Sequence, residues 1–75
     1  MAFKERSTDD LVRIAAAGGG FSLKAGSRTT DDLVRIAAAA ANKGALLFLG
    51  GLDGRTVDEL VRIGAAGQGS VVFKD

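Results

Sequence analysis

A chain of 75 residues has length for one domain, residues 1–75, and for only a modest core. It has no Cys and no His, which excludes disulfide staples and a Cys/His zinc site and leaves close packing or association with another chain to stabilise the fold. A formal charge of +1 argues against a nucleic-acid partner, aromatics limited to Phe leave base stacking little to work with, and no apolar run nears the about 20 residues of a membrane span.

The chain opens with MAFKERSTDD, which turns charged at once and does not read as a signal peptide; a cytoplasmic protein is expected. Residues 2–5, AFKE, are read as a short first strand. A helix start follows. The segment TDDLVRIAAA occupies residues 8–17 and recurs unchanged at 30–39, and a looser copy, VDELVRIGAA, fills 57–66. Each copy is preceded by Arg and a hydroxyl residue: Arg6-Ser7, Arg28-Thr29 and Arg55-Thr56. An acid stands three residues after each hydroxyl, at Asp10, Asp32 and Glu59. This is the pattern of a helix N-cap in which the hydroxyl accepts a first-turn N–H. Asp is too short to reach back easily, so a reciprocal bond is expected above all between Thr56 and Glu59.

The three helices carry one apolar stripe each. Leu11, Val12, Ile14 and Ala15 share a side at about 100° per residue, with Arg13 opposite. Leu33, Val34, Ile36 and Ala37, then Leu60, Val61, Ile63 and Gly64, repeat it, with Arg35 and Arg62 outside. Asp9, Asp31 and Asp58 stand four residues before those arginines, the spacing of an ion pair within one helix. Glycines supply stop signals at Gly18, Gly44 and either Gly67 or Gly69. Between the helices, Phe21–Lys24 and residues 71–74 have strand character, and residues 45–49, ALLFL, read as a central strand buried on both faces.

The expected fold is therefore α/β, in the order β-α-β-α-β-α-β. The four-stranded sheet is mainly parallel, in order 1-2-3-4, with three helices on one face. A miniature doubly wound fold with helices on both faces is the competing arrangement. One helix and one strand cannot bury their own apolar faces, whereas stacked copies can. Ten unchanged residues in two copies point to recent duplication or to a consensus-like, engineered repeat scaffold.

Chemistry is harder to find. Residues 50–56, GGLDGRT, join a strand to a helix start, which is the setting of an anion cradle built from Gly50, Gly51, Gly54, Arg55 and Thr56. The spacing departs from that of a P-loop, and Arg replaces its Lys. The plainer reading makes Thr56 a helix cap, as Ser7 and Thr29 are without any such loop. Gly18, Gly19 and Gly20 follow a helix and precede a strand, the wrong order for a phosphate, and read as a flexible turn. The acid pairs Asp9-Asp10, Asp31-Asp32 and Asp58-Glu59 diverge around exposed first turns, which suits dipole complementarity better than metal binding or acid–base work. Rows of Arg could track phosphates, but pairing with the acid four residues before each helix arginine accounts for the neutral balance. Ser and Lys occur without sign of an activated pair. No enzyme, no metal and no cofactor are expected.

With helices on one face, the other face needs water or a partner. Ser22 and Lys24 suit water, but either Leu46 and Phe48 or Leu47 and Leu49 must lie there, with Val72 beside them. These residues form the expected interface, and self-association as a homodimer is the expected function, with no membrane and no nucleic acid involved. The alternative is a phosphate or nucleotide module at residues 50–56.

Overall fold

Three Ser/Thr caps open three helices, as the spacing predicts. In a computed structural model describing residues 6–26 and 28–74, α1 spans Thr8–Ala16, α2 Thr30–Lys43 and α3 Val57–Gly67. The strands between and after them are β1, Phe21–Lys24, β2, Leu47–Gly50, and β3, Val71–Phe73. Ser7, Thr29 and Thr56 each accept the backbone N–H three residues on, at 3.1, 3.1 and 3.2 Å. Only α3 has the reciprocal bond, from the Thr56 N–H to Glu59 Oε1 at 2.8 Å. Its N3 acid is one methylene longer than those of α1 and α2, which is the difference expected.

The helix ends follow expectation less closely. Gly44 caps α2 in the left-handed region at φ 69°, a conformation that costs Gly little. Gly67 is the last residue of α3 but does not take the left-handed cap. It lies buried inside the last turn, where an added Cβ would come within 2.4 Å of Val71 Cγ2 and 3.7 Å of Ala37 Cβ. Gln68 takes the left-handed cap instead. Gly67 is thus a close-packing position, and the turn falls to its neighbours. The glycine turn before β1 is also packed rather than loose: a Cβ on Gly20 would meet the Leu46 carbonyl at 2.6 Å.

The three strands form one parallel sheet in order β1-β2-β3. Phe21, Leu47 and Val71 lie in register, as do Ser22, Phe48 and Val72, and then Leu23, Leu49 and Phe73. Three strands are therefore described and not four; the expected first strand, residues 2–5, lies outside the described residues. Parallel neighbours joined by crossovers of one hand place α2 and α3 on the same face. α1 packs on α2, and α2 on α3. The core lies between that helix layer and one side of the sheet: Leu11, Leu33, Ile36 and Ile63 from the helices meet Leu23, Leu47 and Leu49 from the strands. β1 alternates buried Phe21 and Leu23 with exposed Ser22 and Lys24.

The central strand corrects a sequence expectation. ALLFL reads as buried on both faces, yet only Leu47 and Leu49 are fully buried, while Leu46 is exposed and Phe48 half-buried. A run without polar residues cannot distinguish a two-sided cover from one covered side and one apolar open side.

Candidate association surface

The helix starts are tied across the structure by a ladder of arginines. Arg28 stands just before the α2 cap and reaches back to the start of α1, donating from Nη1 to Thr8 Oγ1 at 2.8 Å and from Nη2 to the Arg6 carbonyl. Arg55 does the same one helix on, with Nη1 to Thr30 Oγ1 at 2.8 Å and Nη2 to the Arg28 carbonyl. The Thr30 hydroxyl in turn donates to Glu59 Oε2 at 3.0 Å, so this buried threonine links Arg55 to α3. A second row runs across the exposed helix surfaces. Arg35 Nη2 meets Asp9 at 2.9 Å and Arg62 Nη2 meets Asp31 at 2.8 Å.

That second row replaces the pairing expected from spacing alone. Arg35 and Arg62 do not pair with the acid four residues earlier in their own helix; each bridges to the preceding helix. A long guanidinium side chain on a helix flank spans to a neighbouring helix and links two elements instead of stiffening one. Sequence reasoning missed this role and that of Thr30. The signal was present as the joint recurrence of Arg, Thr and Asp at matched places, but recurrence does not say whether partners lie within a copy or between copies.

The Glu59 carboxylate sits among several donors. The Thr56 backbone N–H holds it below the usual carboxylate range, the Thr30 hydroxyl adds to this, burial opposes it, and the Thr56 hydroxyl and Arg55 charge contribute less. This bears on the anion cradle at residues 50–56. The Arg55 guanidinium is engaged with Thr30 and the Arg28 carbonyl, and the Thr56 N–H, a donor that an anion would use, already meets a carboxylate. Gly51 is left-handed at φ 71°, so it serves the turn, while Gly50 ends β2 and Gly54 has open space around it. The acid pairs stay on first turns, and among the described residues no group of three or more His, Cys, Asp or Glu could hold a metal ion. Among the described residues, no helix is long and apolar enough to cross a membrane.

The five residues expected at an interface divide by parity. Leu47 and Leu49 belong to the core. Phe48 alternates with buried Leu47 and Leu49 and lies in register with Val72, and Leu46, just before β2, has the same parity as Phe48; Leu46 is 45% and Val72 40% exposed. Phe48 and Val72 are side by side in register, and Ser22 flanks Phe48 on the other side. Lys74 lays its ammonium 5.7 Å from the Phe48 ring centroid, and Lys24 stands exposed near the same end. This is an apolar strip with a basic border, placed on a flat surface by strand alternation alone. No protein-family model, curated protein or solved structure matches the chain.

Proposed function

We propose that the protein is a non-enzymatic association module, a short stack of helix–strand units whose open sheet face binds a second copy of the chain. The observation that carries this reading is the contiguous strip of Leu46, Phe48 and Val72 on the uncovered side of the sheet. A second copy packed face to face would bury all three side chains, and the lysine stems at the border would lie along the partner's apolar surface with their ammonium groups in water. The small core gives a reason for this, since a chain of 75 residues gains much of its remaining stabilisation from area buried between subunits.

Solution mass by light scattering over a concentration series tests the reading. Wild type is expected to form at least a dimer, and Phe48→Glu to lower the mass at every concentration with an unchanged far-UV spectrum. A wild-type monomer at every concentration, or a variant that dimerises as well as wild type, rejects it.

A further inference from the structure

The two outer helices expose opposite halves of a contact that the molecule already makes twice inside. At the first internal junction, Arg35 of α2 reaches Asp9 of α1 and is followed by Ile36; at the second, Arg62 of α3 reaches Asp31 of α2 and is followed by Ile63. Both isoleucines are fully buried and both arginines grip the Asp of the preceding helix. The matching residues of α1 are Arg13 and Ile14. Ile14 is only half-buried and Arg13 is exposed, with no ion pair among the described residues. They border an open recess of about 390 Å³ lined by Arg6, Asp10, Arg13, Ile14 and Ala17. The same five residue types recur in order as Arg28, Asp32, Arg35, Ile36 and Ala39, and of these Arg28 and Arg35 reach α1.

The other end of the stack is the complement. α3 carries Asp58 where α1 and α2 carry the paired Asp9 and Asp31, and Asp58 is exposed and has no ion pair among the described residues. Around it Val57 is 73% exposed and Val61 61%, whereas their counterparts Thr30 and Val34 are buried and half-buried. Phe73, in register with buried Leu23 and Leu49, is 42% exposed beside them. Among the described residues, the exposed apolar side chains of Val57, Val61 and Phe73 thus all belong to α3 and β3, at this end of the chain order.

From this complementarity we infer that chains associate head to tail, with α3 of one copy seated on the outer flank of α1 of the next. Arg13 of the incoming copy pairs with Asp58, as Arg35 pairs with Asp9, and Ile14 packs against Val57 and Val61. The internal threonine contact is not reproduced, because Val57 stands where Thr8 and Thr30 accept from arginine. The interface is heterologous: its two sides differ, so each bound copy offers a fresh end and growth does not close at two. This inference rests on the stacked-unit reading above but uses a different surface from the open sheet face.

Charge exchange provides the test. Arg13→Asp alone and Asp58→Arg alone each put like charges across the contact, and each is expected to weaken assembly at least about tenfold, the loss that follows from roughly 1.4 kcal/mol. An equimolar mixture of the two variants restores opposite charges at every junction and is expected to recover assembly. Restoration on mixing cannot come from a folding defect. Sedimentation velocity of wild type should show a mass that keeps rising with concentration beyond a dimer. A wild type that stops at monomer or dimer, single variants that assemble like wild type, or a mixture that stays as weak as its components would overturn the inference. A dimer abolished by Phe48→Glu but indifferent to the end charges would reject head-to-tail growth and leave face packing standing.

Discussion

The α1–α2 and α2–α3 junctions are built from the same side chains, yet among the described residues the second has a glutamate that closes its polar rim and the first an aspartate that does not. Each has an arginine bound to a threonine of the preceding helix start, and an arginine bound to that helix's Asp. At the second junction Glu59 also takes the Thr30 hydroxyl and the Thr56 N–H. At the first, Asp32 occupies that place and its carboxylate reaches only Arg35, at 3.9 Å. One methylene separates the two. The lesson is that copying a local sequence copies the packing faithfully, while hydrogen-bond closure depends on reach and can be gained or lost by one atom.

If the apolar halves are equivalent, equal cuts should cost alike. Ile36→Ala at the first junction and Ile63→Ala at the second remove fully buried side chains, and each is expected to lower stability by about 2–5 kcal/mol in urea unfolding. A clear inequality would mean that the two junctions pack differently despite their shared sequence. Gly67→Ala tests the second junction from the backbone side. Its Cβ would press on Val71 and Ala37, and a loss of about 1–3 kcal/mol is expected. No such loss is expected for Gly54→Ala, where nothing lies within 4 Å.

The polar halves should separate. Thr30→Val keeps the shape of the side chain but strips the hydroxyl that serves Arg55 and Glu59, both left with one partner fewer; about 1–3 kcal/mol is expected. Thr8→Val interrupts only the Arg28 bond at a less buried place and should cost about 1 kcal/mol or less. Equal losses would show that the Glu59 bridge adds nothing. The converse change, Asp32→Glu, gives the first junction the missing reach and is expected to gain about 0.5–1 kcal/mol, provided that Thr8 and the Thr29 N–H are both met.

Much of this framework was legible in the residues. The hydroxyl–acid spacing located all three helix starts, and acid length singled out Thr56 and Glu59 for the reciprocal cap. The segments of β1, β2 and β3 were legible from alternation in Phe21–Lys24, the apolar run at residues 45–49 and the strand character of residues 71–74. Three things were not legible. ALLFL has no polar residue to mark its open side, so neither Leu46 nor Leu47 could be assigned to a face until the neighbours of β2 were in place. Gly67 looks like a stop signal, and only the approach of Val71 reveals it as a packing site. The partners of Arg35 and Arg62 were read within their own helices, because a sequence shows separation along the chain and not distance between neighbouring helices. The exposed apolar side chains of Leu46, Phe48 and Val72 were legible as candidates but not as neighbours.

The smallest expected effect is on pH dependence, and it divides the junctions most cleanly. Glu59 is held below its ordinary value of 4.5 in the folded chain by the Thr56 N–H first and then by the Thr30 hydroxyl. When unfolded it titrates near that ordinary value, so between the two values the unfolded chain binds more protons and stability rises with pH. Glu59 therefore contributes fully above about 4.5, and its contribution is lost as the pH falls through the lower folded value. Thermal melts of wild type and Glu59→Gln over the acid range should diverge above 4.5 and converge below the folded value. The Gln side chain can still accept from Thr56, so the divergence reports the charge and not the loss of a cap. Asp32→Glu should add a matching acid-range slope from the first junction if its new carboxylate is held in the same way. A slope unchanged by Glu59→Gln would place the acid sensitivity on other carboxylates and remove the charged rim as the difference between the junctions.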